Sequence, residues 1–123
     1  MADHNELGEL GERMAQRFLL SNAYKILDVN WQYGHKEIDI VAFNNNTLHI
    51  IEVKTRKQDF VERPQDAVSL KKQQLIIEAA NAYVIKNKLD YPVQFDIISV
   101  VTNPKFQKFE HIEDAFYPRV RRF

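Results

Sequence analysis

Apolar residues recur at helical spacing near the start of the chain, with Leu7, Leu10, Met14 and Phe18 on one side and Glu6, Glu9 and Arg13 on the other. That spacing predicts an amphipathic helix over Leu7 to Leu20, ended by Ser21-Asn22. Tyr24 to Trp31 has the β-branched and aromatic content of a strand, and Gly34 breaks it. Lys36 to Phe43 and Leu48 to Thr55 read as two further strands, separated by Asn44-Asn45-Asn46-Thr47. Asparagine tolerates the left-handed backbone that tight turns require, so this pair is predicted to form an antiparallel hairpin. A polar loop from Lys57 to Gln65, containing Pro64, leads to a helical pattern from about Asp66 to Lys88, with Val68, Leu75, Ala79, Ala82 and Tyr83 on one face. Tyr91-Pro92 stops the connection, Val93 to Val101 is a nearly continuous apolar strand, Phe106 to Ile112 a short edge strand, and the tail from Tyr117 to Phe123 ends in a basic cluster.

Both faces of the hairpin carry apolar side chains: Ile38, Ile40 and Ala42 alternate with Val41 and Phe43, and Leu48 and Ile50 with Ile51 and Val53. A sheet apolar on both faces must be covered on both, which predicts an α/β sandwich with a mixed sheet of four to five strands and helices on each side. Charge in such strands is out of place. Asp39 and Glu52 with Lys54 nevertheless lie inside them, where an unpaired charge costs several kcal/mol or is neutralised. A turn of Asn45-Asn46, or of the four residues Asn44 to Thr47, sets Asp39 opposite Glu52 and Glu37 opposite Lys54, whereas a three-residue turn puts the two acids on opposite faces. Even-length hairpin connections are common, so the first register is expected. It holds two carboxylates with β-carbons roughly 5 Å apart, a repulsive pair that calls for compensation. A divalent cation supplies it. Mg²⁺ or Mn²⁺ takes oxygen ligands, usually one or two carboxylates with waters and phosphate oxygens, and Lys54 on the same face is placed to act on a water beside the ion. The plainer alternative is that Glu37 pairs with Lys54 and Asp39 with an arginine at a wet sheet edge.

The helices add candidates whose roles the pattern leaves open. Glu12 lies on the flank of the first helix, facing solvent or reaching round toward the acids. Lys72 falls on the apolar stripe of the long helix beside Gln73; either its stem covers the core while its charge reaches water, or the two hold a phosphate or the attacking water.

At 123 residues the chain has the length of one domain, 1–123, and 17 basic residues balance 17 acidic ones. A neutral chain cannot hold nucleic acid by bulk charge, so such a partner must meet a local patch. Arg56, Lys57, Arg63, Lys71, Lys72 and the tail residues Arg119, Arg121 and Arg122 are the candidates for phosphate contact. The absence of cysteine excludes disulfides, a thiol nucleophile and thiolate metal sites. The amino end lacks a basic head and an apolar core of signal-peptide length, and no run is long and apolar enough to span a bilayer, so a cytoplasmic protein is expected.

Taken together, Gly8-Glu9-Leu10-Gly11-Glu12 with Ala15, Gly34 to Ile40, Glu52-Val53-Lys54, Lys72-Gln73, Phe95-Asp96 and Asp114-Ala115-Phe116 resemble the YraN-type family of bacterial proteins. That family is similar to Holliday-junction resolvases within the restriction-endonuclease-like PD-(D/E)xK superfamily. Over nearly the whole chain the resemblance implies that fold and a Mg²⁺- or Mn²⁺-dependent nuclease acting on DNA, branched or otherwise structured. It implies Asp39 and Glu52 as metal ligands, Glu12 as a third acidic ligand, Lys54 as the catalytic lysine and Gln73 as an accessory polar residue. The alternative it implies is a non-catalytic nucleic-acid-binding subunit of the same fold. Ile38-Asp39 stands where the signature has Pro-Asp, and the chain is less basic than the resolvases. The resolvases cut as dimers, and a homodimer through Phe106, Phe109, Phe116 and Tyr117 is the corresponding expectation.

Overall fold

A computed structural model of the chain describes residues 2–57, 68–103 and 105–118. The elements run α1 (Ala2–Ser21), β1 (Lys25–Tyr33), β2 (Lys36–Asn44), β3 (Thr47–Arg56), α2 (Leu70–Lys86), β4 (Val93–Asn103) and β5 (Phe106–Phe116). The five strands form one mixed sheet in the order β1-β2-β3-β4-β5, antiparallel except for the parallel pair β3–β4. Helix α2 spans the crossover that a parallel pair requires. This is the expected mixed α/β sandwich, consistent with a restriction-endonuclease-like fold. Most of the predicted loop to Gln65, including Arg63 and Pro64, the predicted helix start at Asp66, and Arg119, Arg121 and Arg122 lie outside the described residues.

The sheet is covered on both faces. Ala15 and Leu19 of α1 pack with Ile40, Ala42, Ile51, Ile98 and Val100 on one side. Ile76, Ala79, Ala80 and Tyr83 of α2 pack with Ile38, Val41, Ile50, Phe95 and Ile97 on the other. Both helix faces are rotated from the predicted stripes: α1 buries Gly11, Ala15 and Leu19 and leaves Leu10 exposed, while α2 buries Ile76 and Ala80 more deeply than Leu75 and Ala82. Small residues let α1 approach closely. A β-carbon built on Gly11 would lie 1.8 Å from Thr55 Oγ1 and 2.9 Å from Thr55 Cβ. Gly11→Ala is therefore expected to destabilise the protein by about 1–3 kcal/mol, and Thr55→Ala in the same chain to recover part of the loss, both read from denaturant melts.

Asn45 and Asn46 take the turn with φ of 51° and 59°, and Asn44 pairs with Thr47, so the hairpin has the expected two-residue connection. Ser69 caps α2 by accepting from the Lys72 N–H, which sets the helix start four residues after the predicted Asp66. Strand β5 runs to Phe116 rather than Ile112, because it bulges around Asp96: Phe95 pairs with Phe116 and Ile97 with Ile112, and Asp114 takes φ 57°. Two residues of the aromatic patch expected to drive dimerisation pack within the fold. Phe109 packs on Phe18 at 4.8 Å and the buried Phe116 on Phe95 at 5.3 Å, leaving Tyr117 exposed.

Candidate metal centre

Strands β2 and β3 pair from the turn as far as Ile40↔Ile51 and then part. Asp39 and Glu52 are the next residues in that register, at the fork. The even-length register thus holds, but the two acids are not a cross-strand ladder pair. Instead Asp39 Oδ2 accepts the Val53 N–H at 2.8 Å, so the carboxylate satisfies a donor that the parted ladder leaves over. Glu37, expected opposite Lys54, accepts from Gln32 of β1 at 3.3 Å.

Burial pushes the Asp39 carboxyl far above the usual carboxylate range, and the charge of Glu52 and a hydrogen bond to it push further, against the lowering contribution of the Val53 N–H. Two buried carboxylates in contact cannot both ionise cheaply, which is why Asp39 holds its proton more tightly than a free carboxyl. Lys72 approaches from α2, with Nζ 3.3 Å from Glu52 Oε2; the lysine side chain is 50% exposed and the glutamate 10%. Its place on the apolar stripe carries its ammonium to the ion pair. Gln73 donates Nε2 to the Val68 carbonyl at 3.0 Å, which fixes its amide on the first turn of α2 rather than against the acids.

Helix α1 supplies the other flank. Glu12, Lys54 and Thr55 line one cleft of about 190 Å³ with Leu7, Gly8 and Val53, and Val53 is the residue whose N–H meets Asp39. Of the two orientations that the sequence left open for Glu12, the structure has the inward one. Burial raises the Glu12 pKa, Asp39 is the next cause, and a hydrogen bond from Asn30 opposes both. Lys54 is exposed along this cleft, Arg56 ends β3 and Lys57 follows it. Lys71 is exposed at the start of α2.

A second buried polar group went unrecognised in the sequence as a unit. Asp96, fully buried, accepts from His49 Nδ1 at 2.8 Å and His111 Nε2 at 3.0 Å on one oxygen, and from Gln94 Nε2 and the Asp114 N–H at 3.0 Å each on the other. Burial raises its pKa, but those four donors outweigh burial and hold the carboxyl well below the usual range. An ionised carboxylate only accepts, so both imidazoles direct an N–H at it. His49, Asp96 and Glu113 also place one ligand atom each within 4.8 Å of one another. With both its oxygens already filled, Asp96 is a structural hub that ties β3, β4 and the β5 bulge together.

The model of the uncharacterised protein family UPF0102 matches residues 11–100 of this chain, a span from Gly11 at the helix–strand contact to Val100 of β4. The chain belongs to the UPF0102 family. A UPF0102 protein of Flavobacterium psychrophilum is 49% identical over 117 residues, covering 95% of this chain and 98% of the relative. Others from Phocaeicola vulgatus and Parabacteroides distasonis are 48% and 42% identical over 120 and 121 residues, each covering 98% of this chain and 99% and 100% of the relative. The family's matched span contains Glu12, Asp39, Glu52, Lys54, Lys72 and Gln73. Among the described residues, no helix is long and apolar enough to cross a membrane.

Proposed function

We propose that the chain is a Mg²⁺- or Mn²⁺-dependent nuclease of the PD-(D/E)xK type that hydrolyses phosphodiester bonds of DNA, with branched or structured DNA as its substrate. The observation that carries this reading is the placement of the buried acids Asp39 and Glu52 together at the fork of β2 and β3, where Val53, whose N–H meets Asp39, lines a cleft with Glu12 and Lys54. Hard carboxylate oxygens, crowded enough to hold back a proton, suit a hard divalent cation. Asp39 and Glu52 would hold it, with Glu12 as the third acid. When bound, the ion neutralises this charge and polarises a phosphoryl oxygen.

The chain's own residues supply the rest. Hydrolysis forms a bond from a water oxygen to phosphorus and breaks the bond to the leaving oxygen, which takes up a proton. Negative charge grows on the non-bridging oxygens meanwhile. Lys54, an ammonium with three donors on the cleft wall, is the group that can meet that charge; Lys72 reaches Glu52, and Arg56, Lys57 and the exposed Lys71 are the further cations that would meet the neighbouring phosphates of a strand. Lys57→Ala and Lys71→Ala are each expected to weaken DNA binding without regard to sequence and to lower the slope of log affinity against log salt by about one. Titrations at several salt concentrations measure both.

The deciding experiment incubates purified protein with flaps, junctions, duplexes, single strands and RNA, with Mg²⁺ and with Mn²⁺, beside Asp39→Ala. Cleavage of at least one DNA structure by the wild type alone is expected. If nothing is cut above the Asp39→Ala level, the reading is wrong. Salt-sensitive DNA binding indifferent to metal and to Glu52→Gln would then make the chain a binding subunit.

A further inference from the structure

We infer that Trp31 and Tyr33 form a stacking platform for an unpaired base of a DNA strand, with Lys36 and Lys86 as the cations that meet its phosphates. The inference rests on the nucleic-acid reading above and names the feature recognised in a branched or structured substrate.

Trp31 and Tyr33 alternate with Gln32 on β1, so their side chains stand on one face of the strand. Their rings are stacked, with planes within 2° of parallel and centroids 6.2 Å apart. Lys86 Nζ lies over the Trp31 ring at 6.0 Å and Lys36 Nζ over the Tyr33 ring at 5.5 Å. An ammonium thus accompanies each ring. An unpaired strand offers flat π-faces from its bases and negative charge from its backbone, and rings interleaved with ammonium groups match both.

The platform is anchored from beneath. The buried Tyr83 of α2 meets Trp31 with centroids 5.1 Å apart and planes at 90°, and its hydroxyl donates to Asp28 Oδ2 at 3.0 Å. A ring fixed in this way loses little freedom when a base stacks beside it. Tyr33 is 47% exposed, on the edge strand of the sheet. The pairing Tyr33↔Lys36 brings the Lys36 stem to that ring, and the same ammonium pairs with Glu78 of α2. Lys86, exposed in the last turn of α2, makes no ion pair among the described residues. A lone exposed tyrosine needs no explanation, but here an anchored aromatic pair and two cations converge on one surface.

Its position suits the acids. Trp31 pairs with Ile38, the residue before Asp39, and neighbouring strands lie about 4.8 Å apart. Trp31 packs against α2, the helix whose Lys72 reaches Glu52, so the platform and Glu52 share the α2 side of the sheet. A strand with one phosphate at the acids brings a neighbouring base to the rings, provided that base is free of a duplex. Flaps, junctions and single strands carry such bases.

The test titrates the full chain, without divalent ions, with a labelled oligothymidylate and with a blunt duplex of equal length. Trp31 is the single tryptophan, so its emission reports on the platform alone. The single strand is expected to quench it and the duplex to leave it unchanged. Tyr33→Ala is expected to bind the single strand about 5–150-fold more weakly, the contribution of one stacked base, and the duplex as the wild type does. Tyr33→Phe keeps the ring and should retain wild-type affinity, whereas Lys86→Ala should lower the salt slope for the single strand by about 0.7. Melting curves of each variant separate loss of the platform from loss of the fold. Undiminished single-strand affinity in Tyr33→Ala, Trp31 emission that ignores a bound single strand, or no single-strand binding at all overturns the platform, while the cleavage screen decides the nuclease reading separately. A chain that cuts nothing yet holds the single strand through Tyr33 loses the nuclease reading and keeps the platform.

Discussion

Asp39→Asn is expected to be more stable than the wild type in the absence of divalent ions, and to lose the wild type's stabilisation when Mg²⁺ or Mn²⁺ is added. An amide oxygen can still accept the Val53 N–H, and the amide NH₂ can donate to Glu52, so the substitution satisfies both neighbours. Removing the like-charge contact should raise stability by about 1–3 kcal/mol, the ordinary range of single substitutions, here with a favourable sign. Glu52→Gln should behave similarly but gain less, since it also gives up the Lys72 ion pair. In the wild type, an ion at a hundred times its dissociation constant contributes about 2.7 kcal/mol by linkage.

The pH dependence fixes the sign independently. The folded-state pKa of Asp39 is raised, so its contribution to stability is fully present below the unfolded value and lost as pH rises through the folded one. Metal-free wild type should therefore lose stability from about pH 4 upward, and Asp39→Asn should lack that slope. Melts of the three proteins across this window, with and without each ion, test it. Variants that melt lower than the wild type, together with a wild type that ignores both ions, would make the acids ordinary structural partners.

Asp96→Ala is expected to cost about 3–5 kcal/mol, enough to unfold much of the protein at 37 °C, because it strands the buried donors of His49, His111, Gln94 and the Asp114 backbone together. Asp96→Asn keeps one acceptor and should cost less. Here the linkage has the opposite sign to that of Asp39. The folded pKa is depressed, so the contribution is present above the unfolded value and is lost as pH falls through the folded one. Acid unfolding of the wild type below about pH 4 should carry this contribution, and the Asp96→Asn curve should be flatter there. An Asp96→Ala variant with wild-type stability would show that the network is dispensable.

Two buried acids, Asp39 on β2 and Asp96 on β4, thus respond oppositely to pH, and nothing in their residue type distinguishes them. The sequence marked Asp39 and Glu52 as anomalous because they interrupt apolar strands, and the two-asparagine turn was enough to predict their register. It could not show that the ladder stops at Ile40↔Ile51, since parting of strands depends on what packs above and below them. His49, Asp96 and His111 were invisible as a unit for a related reason. They lie on three different strands, and only the order β3-β4-β5 makes them neighbours.

The periodicity of apolar positions determined the sequence of elements, the two-faced sheet and the candidate acids, because these follow from spacing along one chain. Tertiary structure decided the rest. Gly11 and Ala15, which carry little hydrophobic signal, set the rotation of α1 by allowing close approach to Thr55, and that rotation brings Glu12 to the cleft. Local sequence specifies which surfaces must be buried. Which atoms then meet is settled by packing between elements distant in the chain, and that packing sets both the charge of Asp39 and the placement of Glu12 beside it.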